Sequence, residues 1–170
     1  MTRLIFFVMM IASLSAVAQN FQAFKDVENG ALVLKGPLNM EHLRTQESFR
    51  WFAQNAAYAP NDSIVKQLKG KLSQYDMVVV MGTWCEDSQT LIPKLYTVLQ
   101  QSDYPMRKLH MFGVDRTKDA LNGEKAKYNI EKVPTIILFD GEKEIGRITG
   151  TVQQSMEADL VLLLKTQGKL

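Results

Sequence analysis

The single cysteine of the chain, Cys85, is the side chain best suited to chemistry. It follows an apolar run at residues 77–81 that is typical of a buried strand, and it precedes a segment with helical periodicity. A thiol at the start of a helix lies near unpaired N–H groups and the positive end of the helix dipole, which lower its pKa from about 8.5. The adjacent Glu86 and Asp87 oppose this effect, because nearby negative charge disfavours a second anion. We therefore expect a partly activated thiol, with Glu86 and Asp87 as candidates for tuning its pKa; the alternative for Asp87 is a plain acid of the helix N-terminus, which the helix dipole favours.

Ser88 stands three residues after Cys85, where a second cysteine would complete a dithiol motif. A lone thiol can attack a disulfide and form a mixed disulfide, but it cannot release itself by internal attack. We expect the Ser88 hydroxyl to donate a hydrogen bond to the sulfur, in partial replacement of the missing thiol. The pattern favours isomerisation, deglutathionylation or covalent capture of a client over net disulfide reduction.

Composition and charge exclude several other classes of function. The chain has 170 residues, of which 46% are hydrophobic and 22% charged, with a net charge of +2, as expected for one domain with a substantial core. The sequence contains no cluster of Lys and Arg of the kind that binds nucleic acid. The only histidines, His42 and His110, lack the spacing of metal ligands, so we expect neither a metal nor a cofactor.

The first 18 residues have the pattern of a secretory signal peptide. Arg3 supplies the positive charge, residues 4–14 are apolar, and the segment 16–18 (Ala-Val-Ala) fits the cleavage rule. The apolar run is shorter than the about 20 residues of a membrane span. We expect an exported protein, periplasmic or secreted, with no transmembrane segment after signal removal; the alternative is a buried N-terminal helix. The predicted organisation is a signal peptide at 1–18, an N-terminal extension at 19–60 and a core domain at 61–170.

Hydrophobic periodicity predicts an alternation of helices and strands after the signal. We expect strands at 31–34 (ended by Gly36 and Pro37), 77–81, 108–115, 135–139 and 144–149. We expect helices at 49–56 and 117–128, and a further helix after an N-cap at Asn61. Another helix should follow Cys85 and contain Pro93. A C-terminal helix should follow a capping box of Thr151 and Gln154. A strand–helix–strand unit followed by a hairpin predicts an α/β fold with a mixed sheet.

Four local features, in this order, resemble the thioredoxin superfamily over residues 61–168. They are Trp84-Cys85 at a strand-to-helix junction, Pro93 eight residues later, the segment 133–135 (Val-Pro-Thr) before a strand, and the hairpin that follows it. The resemblance implies a thioredoxin-like mixed sheet with flanking helices, here with an N-terminal helical extension. It also implies that Val133-Pro134 is a cis-proline loop facing the cysteine. Trp84, Val133, Pro134 and Thr135 would then contact the substrate, with Cys85 as nucleophile and Ser88 beside it.

The chain also departs from the pattern of this family. The buried acid that the resemblance places six residues before the nucleophile is Val79, and its neighbouring lysine is Met111. Glu86 and Asp87 replace the Gly-Pro between the two cysteines. The apparatus for proton transfer in a full dithiol cycle is therefore missing, together with the second sulfur.

Two classes of function remain open. The first is an exported monothiol protein acting in thiol-disulfide exchange on a protein or on a low-molecular-weight thiol or disulfide. The second is a redox-inactive thioredoxin-fold module that binds a peptide or protein in the same groove. A peroxidase is disfavoured, because Val78 stands where the peroxiredoxin signature requires proline. The sequence indicates no oligomeric state.

Overall fold

The computed structural model describes residues 20–170, so the predicted signal peptide lies outside the described residues. The strands are β1 (Gln22–Lys25), β2 (Leu32–Leu38), β3 (Asp76–Met81), β4 (Leu109–Gly113), β5 (Thr135–Asp140) and β6 (Lys143–Thr149). The α-helices are α1 (Met40–Arg44), α2 (Arg50–Ala56), α3 (Asp62–Leu68), α4 (Glu86–Gln101), α5 (Glu124–Lys127) and α6 (Met156–Thr166). Short 3-10 turns lie at Glu47–Phe49, Leu72–Gln74 and Met106–Lys108.

The six strands form one mixed sheet in the order β1-β2-β4-β3-β5-β6. Strands β3 and β4 are parallel, whereas β5 runs antiparallel to β3 and forms a hairpin with β6. The predicted α/β class, the mixed sheet and the antiparallel hairpin are therefore confirmed.

Strand β3 is apolar on both faces because both faces are covered. Met77, Val79 and Met81 belong to the main core, which holds the apolar faces of helices α2, α3, α4 and α6. Val78 and Val80 belong to a smaller cluster on the other face, with residues of the segment 114–133. That segment is mostly irregular, so helices cover one face and a packed loop covers much of the other.

The segment 117–128 was expected to be helical, but only α5 (Glu124–Lys127) is. Lys118 (φ 64°) and Gly123 (φ 78°) have left-handed backbone conformations, which a right-handed helix does not accommodate. Asp115 also accepts hydrogen bonds from the Thr117 N–H and hydroxyl, so the side chain favours a local turn over a helix.

Strand β2 also differs from expectation, because it runs through Gly36 and Pro37 instead of ending there. Strand β1 pairs with β2 only up to Lys35, whereas Gly36, Pro37 and Leu38 pair with β4. Pro37 thus lies beyond the last β1–β2 pair, where a residue without an N–H removes no hydrogen bond of that ladder.

The helix ends follow the chemistry of their capping residues. Helix α3 begins after Asn61, whose side chain accepts from the Ser63 N–H, as predicted. The predicted capping box of Thr151 and Gln154 is wrong: helix α6 begins after Ser155, whose side chain accepts from the Ala158 N–H.

Candidate active site around Cys85

Cys85 lies at the junction of β3 and α4 and is the N-cap residue of the helix. Its own N–H donates to the Gly82 carbonyl (3.0 Å), and its carbonyl accepts from the Gln89 N–H (2.9 Å). The residue is half-buried, so the helix start holds it at the boundary between the core and the solvent. This is the position that the sequence predicted.

The loop at Val133 and Pro134 faces the sulfur. The peptide bond between these two residues is cis, as the resemblance implied. The Cys85 thiol lies within donating distance of the Val133 carbonyl, with 3.5 Å between Sγ and the oxygen. Thr135 is buried at the start of β5, and its hydroxyl donates to the Lys132 carbonyl (2.7 Å). The structure thus brings Cys85, Val133 and Pro134 together, whereas the Thr135 hydroxyl is engaged within the loop.

Trp84 folds back over the loop that carries Cys85. Its indole N–H donates to the Val114 carbonyl (2.9 Å). A Cβ added to Gly82 would lie 2.7 Å from the indole atom Cε2, so glycine is what allows the ring to pack there. The Arg116 guanidinium also lies over the ring, with its Cζ 4.5 Å from the ring centroid. These contacts with Val114, Gly82 and Arg116 fix the Trp84 ring beside Cys85.

Thr83 and Gln89 connect the same loop to its surroundings. The buried Thr83 hydroxyl donates to the Leu32 carbonyl (2.7 Å) and accepts from the Leu34 N–H (3.1 Å), both on β2. The Gln89 side chain donates to the Thr83 carbonyl (2.8 Å). The loop before Cys85 is thus joined to the N-terminal hairpin, a connection that no local sequence pattern predicts.

Ser88 is fully buried, and its hydroxyl oxygen accepts from the Gly82 N–H (3.3 Å). Within residues 20–170, the expected hydrogen bond from this hydroxyl to Sγ is not observed. Ser88 therefore braces the loop that leads to Cys85, and its role at the sulfur stays a prediction.

The two carboxylates beside the cysteine point into solvent. Glu86 and Asp87 are exposed residues of the first turn of α4. Water and salt screen exposed charges, whereas their interaction with the helix N-terminus is local. Tuning of the thiol by these residues stays a prediction.

The positions of the missing acid and lysine are both apolar. Val79 on β3 and Met111 on β4 are direct partners in the parallel register, and both are buried in the main core. A proton donor or acceptor is therefore absent from these two positions, as the sequence indicated.

An ion-pair cluster borders the site on the side of the N-terminal hairpin. Arg116 donates to both carboxylate oxygens of Asp26 (2.9 and 3.0 Å), and it also pairs with Glu28 (2.8 Å). The hydrogen bond from Arg116 is the main cause that lowers the pKa of Asp26 to about 2, while burial acts in the opposite direction. Hydrogen bonding to Asp26 raises the pKa of Arg116; partial burial opposes the rise, and the charges of Asp26, Glu28 and Cys85 add to it.

None of this cluster was predicted as part of the site. The Asp and Asn at positions 26 and 29, followed by Gly30, are typical of a turn and could have indicated one. The pairing of Asp26 with Arg116 joins residues 90 positions apart, and no local pattern encodes it.

The comparisons with known proteins concern the family and the fold that carry this site. A thioredoxin family model matches residues 61–161, which is more than half of the chain. The chain belongs to the thioredoxin family. Within that family, the match begins at Asn61, the residue that caps α3, and ends inside α6.

Two solved structures are similar in fold. A Pseudomonas aeruginosa protein of unknown function shares 13% sequence identity at a TM-score of 0.50, over 69% of this chain and 81% of that chain. An HIV epitope-scaffold shares 11% identity at a TM-score of 0.53, over 72% of this chain and 88% of that chain. At these identities the likeness concerns the fold alone. No curated protein matches the sequence significantly.

Two further features concern the part of the chain that the structure describes. Over residues 20–170, His, Cys, Asp and Glu side chains form no group of three or more that could hold a metal ion. None of the helices in this range is long and apolar enough to cross a membrane.

Proposed function

We propose that this member of the thioredoxin family is an exported monothiol protein that forms mixed disulfides through Cys85. The observation that carries the proposal is the half-buried Cys85 thiol at the start of α4, 3.5 Å from the Val133 carbonyl of the cis-proline loop. A substrate chain lying along that loop would present its disulfide to the sulfur. The signal-like pattern of residues 1–18 supports export to the periplasm or the exterior.

The exchange proceeds in two balanced steps. The Cys85 thiolate attacks one sulfur of a substrate disulfide, a bond forms between the two sulfurs, and the other substrate sulfur leaves as a thiolate. This chain has no second thiol that could attack the resulting mixed disulfide, because Cys85 is its only cysteine. A thiolate from outside, or from the substrate itself, must then attack and release Cys85 as its thiolate. Such a cycle performs isomerisation or deglutathionylation with no net change in the oxidation state of the protein.

The experiment uses reduced mature protein and glutathione disulfide. We expect Cys85 to acquire one glutathionyl group, which mass spectrometry detects, and to lose it when a small external thiol is added. Cys85→Ser should acquire none and should retain its fold, since serine is a favoured N-cap residue. Exchange activity that persists in Cys85→Ser would refute the assignment of Cys85 as the nucleophile.

A second candidate function is a binding module that uses the same groove without turnover. The apolar register pair Val79 and Met111 favours it, because this pair offers no group for proton transfer. The two candidates differ in one result: a binding module retains its peptide partner when Cys85 is replaced by serine, whereas covalent capture is lost.

A further inference from the structure

The tip of the N-terminal hairpin, residues 26–31, is a tightly hydrogen-bonded turn, called here the hairpin turn. The Asp26 N–H donates to the Ala31 carbonyl (2.8 Å), and the Gly30 N–H donates to the Asp26 carbonyl (2.9 Å). One carboxylate oxygen of Asp26 also accepts from the N–H groups of Glu28 and Asn29 (both 3.1 Å). These bonds fix the backbone of the turn and the position of the Asp26 carboxylate.

Arg116 joins the hairpin turn to the indole of Trp84. Its guanidinium binds Asp26 through Nε and Nη2 and Glu28 through Nη1, while its Cζ lies over the Trp84 ring at 4.5 Å from the centroid. The Asp26 side chain is only 4% exposed, whereas that of Glu28 is 63% exposed. Arginine suits this position because a lysine ammonium supplies neither the two-pronged geometry nor a flat face.

The hairpin turn also touches the backbone of the site directly. The Asn29 side chain donates to the carbonyl of Trp84 (3.3 Å), the residue before Cys85. The indole also packs against Gly82, which has no side chain, and its N–H is bonded to the Val114 carbonyl. A shift of the ring therefore displaces the peptide that leads into Cys85.

We propose that Arg116 is a positioning residue and that the hairpin turn is part of the Cys85 site, because together they fix Trp84 and hold Cys85 against the Val133 loop. The two carboxylates that Arg116 contacts balance its single positive charge. We therefore expect Arg116 to position Trp84 through the geometry of its guanidinium more than through its net charge. The part of the proposal that concerns the rate of thiol-disulfide exchange rests on the proposed function. The part that concerns the position of the Trp84 ring is independent of any redox activity.

The experiment starts from Trp51→Phe, which leaves Trp84 as the single tryptophan of the chain. Arg116→Lys preserves the charge and removes the planar fork, and Arg116→Ala removes both. For each variant, the quenching of Trp84 fluorescence by acrylamide reports the position of the ring. The rate of mixed-disulfide formation with glutathione disulfide reports alignment of the sulfur, and the rate of alkylation by iodoacetamide reports its accessibility.

We expect both Arg116 variants to increase quenching of Trp84 by about twofold, as the local structure opens. Exchange should slow by about tenfold to a hundredfold, the typical cost of misplacing a reacting group by about 1 Å. Alkylation in Arg116→Lys should change by less than about threefold, because attack on a small reagent does not require alignment with the Val133 loop.

Arg44→Ala is the matched control, since it removes an equal charge from an exposed pair with Glu41 on α1. It should leave all three readouts unchanged. Asp26→Asn removes the charge of the carboxylate that Arg116 binds, so it should change the three readouts as the Arg116 variants do. If Arg116→Ala does not fold, Asp26→Asn and Arg116→Lys together provide the test.

Two results would overturn the proposal. If Arg116→Lys matches the parent in quenching and exchange, the planar fork has no positioning role. If only Arg116→Ala slows exchange, the residue acts through its charge. Should the parent show no exchange at all, the proposed function fails, and the quenching of Trp84 in Arg116→Lys still decides the positioning role.

Discussion

Replacement of Gly82 by alanine should loosen Trp84 and destabilise the protein. The added methyl carbon would lie 2.7 Å from Cε2 and 2.8 Å from Nε1 of the indole. Carbon atoms in favourable contact are about 3.5–4.0 Å apart, so the ring must move by about 1 Å. That movement breaks or lengthens the hydrogen bond from Nε1 to the Val114 carbonyl, now 2.9 Å.

The size of the effect follows from these two losses. A lost hydrogen bond costs about 0.5–1.5 kcal/mol of unfolding free energy. Crowding by an added methyl group costs about 1–3 kcal/mol, and the half-buried ring can relax outward, which places the crowding term at the lower end. We therefore expect a loss of about 2 kcal/mol, equivalent to a fall in Tm of about 4–8 °C for a chain of this size.

Urea unfolding followed by circular dichroism measures this loss, and acrylamide quenching in the Trp51→Phe background measures the displacement of Trp84. Gly146→Ala is the matched control. Its added methyl would lie 2.8 Å from Cδ2 of Leu163, the far end of a flexible and half-buried side chain. That neighbour can turn away, so the unfolding free energy should change by less than about 0.5 kcal/mol.

Gly113→Ala is the reference for a large loss of unfolding free energy. Its added methyl would overlap the backbone carbonyl of Leu34 on β2, which cannot turn away without separating the strands. The reasoning would be refuted if Gly82→Ala unfolded with the same free energy as the parent and with unchanged quenching of Trp84.

Two further predictions concern the sulfur and the hairpin turn. Ser88→Cys should raise disulfide-reductase activity only modestly in an insulin-reduction assay, because the apolar Val79 and Met111 leave proton transfer unaided; turnover equal to that of a dithiol thioredoxin would contradict this account. The pKa of Asp26 is about 2 in the folded chain, below its ordinary value of 3.8, so its stabilising contribution is complete above pH 4 and is lost as the pH falls towards 2. In thermal melts, Asp26→Asn should therefore be less stable than the parent at pH 7, and the difference should shrink below pH 4; a difference that stays constant with pH would argue against the ion pair.

Local patterns in the sequence predicted the elements that carry the site. The apolar run of β3 reads as a strand because both of its faces are buried. The periodic apolar face of α4 is visible because it packs on one core. The loop at Val133 and Pro134 was located through the family resemblance, and the structure brings it to the cysteine.

The contacts that were missed depend on long-range pairing. Strand β2 continues through Pro37 because Gly36, Pro37 and Leu38 pair with β4 beyond the last β1–β2 pair at Lys35, a pairing that only the sheet reveals. The contact between Arg116 and Trp84 depends on how the loop after β4 folds back onto the site. The segment 117–128 had enough apolar residues to predict a helix, but the side chain of Asp115 and the left-handed Lys118 favour turns.

The rate at which Cys85 forms a mixed disulfide tests the central claim most directly. The reduced protein and an unstructured peptide of residues 82–88 would react with glutathione disulfide at neutral pH under identical conditions. If the fold activates and aligns the thiol, the protein should react at least about tenfold faster than the peptide. A protein that reacts at the rate of the peptide, or more slowly, would contradict the account.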